Sequence, residues 1–191
     1  MRYRRAVRTV LLLVTAVLAA GCTTAVEGTP SAAPPAPLPA RPREVRLDGV
    51  DPCSLLTPSD RASLGLDTGG IPNSTYIELF RGTVPTCSMS GFRPDAVTLS
   101  IGTVTTVGIE RWRESDVAAT LQQTAISGFP AIVAVPDQFK DYCSVEIDVA
   151  HGQLLDVQFG DGGSSPPISQ DELCLRASRS AEAAVASLLV S

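Results

Sequence analysis

The sequence predicts an α+β fold: an antiparallel sheet of about four to six strands built from two hairpins, with a short N-terminal helical segment and a long C-terminal helix packed on the sheet. Three observations predict it. Val145, Ile147 and Val149 alternate with polar residues, and after His151-Gly152 the same alternation returns in Leu155, Val157 and Phe159, the period-two signature of a hairpin with one buried face. Near the C-terminus the period changes. Leu173, Cys174, Ala177, Ala181, Ala184, Val185, Leu188 and Leu189 recur at helical spacing after Ser169-Gln170-Asp171-Glu172, a capping-box pattern. Third, Cys53, Cys87, Cys143 and Cys174 form an even set with wide gaps, which predicts two disulfides in an exported chain.

From the N-terminus, Arg2, Arg4, Arg5 and Arg8 precede an apolar run from Val10 to Ala20, and Ala20-Gly21 precedes Cys22. The run is too short for the roughly 20 residues that a spanning helix needs, so residues 1–21 are expected to be a signal peptide. Leu18-Ala19-Ala20-Gly21-Cys22 resembles a bacterial lipobox, which would make Cys22 the lipidated N-terminus and anchor the protein on the extracytoplasmic face of the cell membrane. Residues 22–47 carry Pro30, Pro34, Pro35, Pro37, Pro39 and Pro42 and are expected to be a tether. Residues 48–191 are expected to be one extracytoplasmic domain.

Within that domain, Asp51-Pro52-Cys53-Ser54-Leu55-Leu56 opens a helical piece, and Thr57-Pro58 supplies an N-cap and first-turn proline for a second piece that stops at Gly65. Residues 67–85 read mainly as loop, with a short strand at Tyr76–Phe80. Thr86–Phe92 and Ala96–Val104 flank Arg93-Pro94-Asp95 as the first hairpin, with Val97, Leu99 and Ile101 on one face. Residues 109–123 fit helix or loop equally, and Thr124–Val135 reads as one strand broken by Gly128 and Pro130.

Three cysteine pairings are open. Cys143 shares strand parity with Val145, Ile147 and Val149, and Cys174 lies on the helical stripe, so both face the layer between sheet and helix. The expected bridges are Cys143–Cys174 and Cys53–Cys87. Zinc would need closely spaced ligands, and there is neither a Cys-x-x-Cys pair nor a histidine cluster.

The lipobox, the Pro-rich tether, Asp51-Pro52-Cys53-Ser54-Leu55-Leu56-Thr57, Cys87 opening a strand, Gly128-Phe129-Pro130-Ala131 before a hairpin opened by Cys143, and Cys174 in an Ala-rich last helix resemble the actinobacterial lipoprotein family called domain of unknown function 3558. The resemblance spans nearly the whole mature chain. One departure is Met89, where an aromatic residue is expected two positions after the cysteine. Fourteen arginines against one lysine, Lys140, fit a high-GC bacterium. The resemblance implies envelope localisation and a link to secretion or envelope maintenance, and it brings no known activity.

Composition narrows the function. The formal charge is −5, and removing the four leader arginines takes it to about −9, which excludes the basic face of a nucleic-acid binder. Asp67-Thr68-Gly69 matches half of an aspartic-protease site, but two copies are required and the chain has one. His151, the single histidine, sits at a turn. Asp161-Gly162-Gly163 lacks the spaced acids of a calcium loop. No residue is expected to be catalytic, and no metal or cofactor is expected. Trp112, between Arg111 and Arg113, is a candidate partner-binding aromatic, with cover for the core edge as the plainer role. Tyr76, Phe80, Phe139 and Tyr142 are candidates to line a shallow site. The expectation is a non-enzymatic, lipid-anchored module that binds an envelope protein or small ligand; the alternative is an envelope hydrolase or transferase. A deep pocket with convergent acids would favour the enzyme, and an apolar patch near Trp112 the binder.

Overall fold

In the computed structural model, residues 37–114 and 116–190 are described, so the leader, Cys22 and the first part of the tether lie outside the described residues. Seven strands form one antiparallel sheet: β1 (Ile71–Ile77), β2 (Gly82–Gly91), β3 (Val97–Val104), β4 (Ala119–Ile126), β5 (Phe129–Pro136), β6 (Tyr142–Ala150) and β7 (Gln153–Asp161), in the order β1-β2-β3-β7-β6-β5-β4. Two meanders, β1 to β3 and β4 to β7, therefore join along the central β3–β7 pair. The helices are α1 (Pro58–Ser63) and α2 (Gln170–Leu188), with single 3-10 turns at Pro52–Ser54, Glu78–Phe80 and Ile109–Arg113.

The α+β class, the N-terminal helical pieces, the C-terminal helix on the sheet and two disulfides agree with expectation, whereas the strand count does not. Seven strands replace four to six for two reasons. Residues 71–77, expected to be mostly loop, form β1 along the sheet edge, and Glu78–Phe80, expected to finish a strand, is a 3-10 turn. The apolar stretch 124–135 is two strands, because Ser127 and Gly128 both have positive φ, 50° and 85°, and reverse the chain between Ile126 and its partner Phe129. Two successive left-handed residues make the turn whose twist matches a hairpin.

Local chemistry explains the helices. Thr57 Oγ1 accepts from Asp60 N while Asp60 Oδ2 accepts from Thr57 N, a complete capping box ahead of Pro58 at N1, and Gly65 leaves α1 at φ +75°. At α2, Ser169 Oγ accepts from Glu172 N at 3.3 Å, but the Glu172 carboxylate is engaged by Arg176 Nε at 2.7 Å.

One sheet face packs against α2. Val97, Leu99 and Ile101, Val145, Ile147 and Val149, and Leu155, Val157 and Phe159 meet Leu173, Ala177, Ala181, Ala184, Val185 and Leu188. The run of alanines lets the helix approach closely, and each fully buried aliphatic side chain contributes about 1.5–3 kcal/mol. Cys143–Cys174 crosses this interface, and Cys53–Cys87 ties the Pro52–Ser54 turn to β2, each with Cα atoms 5.0 Å apart. These are the pairs that strand parity and the helical stripe predict. The end of the expected tether is fastened to the domain: Val45 N donates to Val149 O at 2.8 Å, and Leu47 is buried with its N–H on Gln153 Oε1 at 2.7 Å.

Candidate functional site

The sheet face away from α2 is divided across its length. Over one half, the crossover between β3 and β4 lays Ile109 and Trp112 on Phe80, Val84, Val104, Ile132, Ala134 and Leu154 as a second apolar core. Trp112 is 5% exposed and its ring meets Phe80 edge-on at 6.4 Å. It covers the core and offers no free face to a partner, which corrects its candidacy as a binding aromatic. Its neighbour Arg111 is also buried, because its guanidinium donates to both oxygens of Asp116 at 2.7 and 2.9 Å and to Leu79 O at 2.7 Å.

The other half is open. Strand register aligns Ser88, Ser100, Gln158 and Ser144 in one cross-strand row, and Ser90, Thr98, Gly160 and Tyr142 in the next. Apart from the buried Ser144, these rows form the floor of a groove of about 330 Å³, with Asp141 and Asp161 at its end. Gly160 belongs to the floor because a Cβ there would lie 2.7 Å from Thr98 Oγ1. Asp161 itself is spent locally: it accepts from the backbone N–H groups of Gly163, Ser164 and Ile168, and chiefly the Ser164 bond holds its carboxyl below the usual range.

At the boundary between the two halves lie two acids that sequence reasoning missed. Glu146 on β6 pairs with Asp156 on β7, and they are 0% and 1% exposed. Burial pushes both carboxyls up, Asp156 to about 7 and Glu146 well above its ordinary value, and the charge on Asp156 raises Glu146 further. Two carboxylates in one dry pocket cannot both ionise, so Glu146 holds the proton and Asp156 takes the charge. Gln158 Nε2 stabilises that charge from the groove side, donating at 3.0 and 3.3 Å. Trp112 Nε1, Ser144 Oγ and both Glu146 oxygens are buried without a hydrogen bond of good geometry, although Ser144 and Trp112 lie close enough to favour a charge on Glu146. Gly102 opposes Asp156 across β3–β7, and a Cβ there would lie 3.4 Å from Asp156 Oδ2.

The remaining candidates are dispersed. Asp67 Oδ2 accepts from Phe92 N at 2.7 Å and Thr68 bonds Ser90 through both backbone and hydroxyl, so Asp67-Thr68-Gly69 stitches the chain after α1 to β2. His151 is exposed at the β6–β7 turn. Phe80 is buried, Tyr76 and Phe139 are exposed at separate places, and of these four aromatics only Tyr142 lines the groove. Among the described residues no group of three or more His, Cys, Asp or Glu is arranged to hold a metal ion, and no helix is long and apolar enough to cross a membrane.

Fold and groove together define a disulfide-bonded α+β domain with one open, hydroxyl-rich sheet face. Residues 17–187 match the family model described as protein of unknown function (DUF3558), and the chain belongs to that family. No curated protein matches the chain. No solved structure matches it either.

Proposed function

We propose that this is a lipid-anchored, extracytoplasmic envelope protein of the actinobacterial lipoprotein type that binds a small polar ligand or partner segment in the groove on its open sheet face, without a chemical step. The observation that carries this reading is the groove itself: Ser88, Ser90, Thr98, Ser100 and Gln158 present hydroxyl and amide groups at fixed strand spacing, in a volume at the small end of ligand sites. Rigid strands hold these donors and acceptors in place, which suits recognition of a polar molecule. Export is supported by the four cysteines after Cys22 all being committed to disulfides. Filling the groove with Ser100→Trp should abolish rescue of a deletion strain, while Glu146→Gln should rescue as wild type does. Full rescue by a folded Ser100→Trp protein would overturn the groove as the binding site.

One observation favours the alternative of an envelope hydrolase or transferase. Asp156, pushed up to about 7 beside a protonated Glu146, has the proton affinity of a general acid or base and is one row from the groove. Burial weighs against it, since neither carboxylate reaches solvent. Asp156→Asn separates the two readings: a binder keeps its function, whereas an enzyme using this pair loses it.

A further inference from the structure

We propose a second site, for a phosphate group, in the concavity between the end of α1, the β2–β3 turn and the first turns of α2. It has a volume of about 500 Å³, and its lining includes Leu64, Arg93, Asp95, Glu172, Arg176 and Arg179. Charge bookkeeping singles it out. Among the described residues, Arg41, Arg46, Arg81 and Arg111 hold carboxylates, and the other basic side chains away from this site also have partners. Arg93 and Arg179 hold none, and both line this one concavity. The two uncommitted arginines among the described residues thus converge on a single place in a chain of net charge −5.

The surroundings fix Arg176 and the backbone that carries Arg93 and Arg179. Arg176 is braced by Asp95 at 2.9 Å and Glu172 at 2.7 Å and lies over the Phe159 ring, and Arg179 follows three residues later on the same helix face. The turn that carries Arg93 is pinned by the Asp67 bond to Phe92 N and by Gly91, where a Cβ would lie 1.7 Å from the Gly65 carbonyl oxygen. Asp95 and Glu172 set two negative charges against three guanidiniums, so the lining is net positive by one, and Arg93 and Arg179 are the forks that hold no carboxylate. Two guanidinium forks without carboxylate partners, in a net-positive lining, present more donors than a single carboxylate can take up and match the oxygens of a phosphate group. Phosphate occupies a small part of the concavity, so the ligand is a soluble phosphorylated molecule with an organic remainder. A soluble source is favoured because this end of the sheet, at Val97–Asp161, is opposite the end where Arg41 grips Asp148 and the N-terminal segment joins.

Calorimetric titration of the purified full-length protein in neutral detergent with inorganic pyrophosphate tests this. The double variant R93Q/R179Q should lose at least tenfold in affinity, whereas R43Q/R46Q, changing two arginines elsewhere, should bind as wild type does. Asp95→Asn should tighten binding several-fold, because it removes a negative charge from the lining and frees Arg176. Absence of pyrophosphate binding to wild type at millimolar concentration, or equal affinity in R93Q/R179Q, would overturn the site. Capture of phosphatidylglycerol vesicles without pyrophosphate binding would overturn the soluble source.

Discussion

Glu146 stands directly opposite Asp156 across the β6–β7 ladder, with Trp112 over one side of the pair and Gln158 on the other. Like charges in that relation destabilise a sheet unless one is neutralised. Folding therefore takes up protons at this pair.

The pH dependence follows in sign. Both carboxyls have folded-state proton affinities above their unfolded ones, so their stabilising contribution is complete below about pH 4 and is lost as pH rises towards the folded value, about 7 for Asp156. Each such group lowers stability by up to about 1.4 kcal/mol per pH unit within its window. Urea melts between pH 5 and 8 should show stability falling with pH, and Asp156→Asn should flatten the profile and stabilise the protein at pH 8. An unchanged slope in Asp156→Asn would mean that the pair does not carry it.

Of the two disulfides, Cys53–Cys87 makes a separate demand on Gly70. The two bridges span 34 and 31 residues, and in the chain-entropy model each is worth about 4 kcal/mol. A Cβ at position 70 would lie 2.5 Å from Cys87 Sγ and 3.0 Å from Cys53 Sγ. Gly70→Ala should lower the melting temperature and speed reduction of Cys53–Cys87 by dithiothreitol while leaving Cys143–Cys174 unaffected. Non-reducing peptide mapping should find both pairs in the wild type, and a Cys53–Cys174 peptide would contradict the layer geometry.

The elements that sequence made legible are those whose signal is local. Alternation around His151-Gly152 marks β6 and β7, and Thr57-Pro58 and Gly65 bracket α1 because capping is read within one turn of chain. β1 was hidden because it is an edge strand with exposed side chains, so it shows no apolar alternation, and Gly69, Gly70 and Pro72 argue for a loop. Gly128 and Pro130 read as breaks within one strand rather than a reversal because a serine seldom takes positive φ, yet Ser127 does. The acid pair was missed for a different reason: polar residues alternating with core residues ordinarily face water, and it is tertiary structure, with Trp112 beside Glu146, that buries this pair. A signal was nevertheless present. The parity that sets Val145 against Val157 and Ile147 against Leu155 also sets Glu146 against Asp156, two like charges face to face.

The proposed anchor rests on Cys22 following Ala20-Gly21, with the other four cysteines oxidised in pairs. Cys22→Ala should abolish incorporation of labelled fatty acid and move the protein from the membrane fraction to the medium. Retention of label and membrane association would rule out lipidation at Cys22.

Asp67 and His151 complete the tests, because each is a residue type that catalysis favours and each has a structural place. Asp67 Oδ2 accepts from Phe92 N and so helps hold the turn that carries Arg93, and the asparagine amide oxygen can accept the same bond. Loss of charge assistance should cost Asp67→Asn about 1 kcal/mol or less, whereas Asp67→Ala, which leaves the N–H without its partner, should cost about 1–2 kcal/mol. His151 is exposed at a turn whose reversal depends on Gly152 at φ +69°, so His151→Gln should leave stability unchanged. Both Asp67→Asn and His151→Gln should fully rescue a deletion strain. Failure of either, with normal abundance and an unchanged melting temperature, would place that side chain in a chemical step and overturn the binding reading.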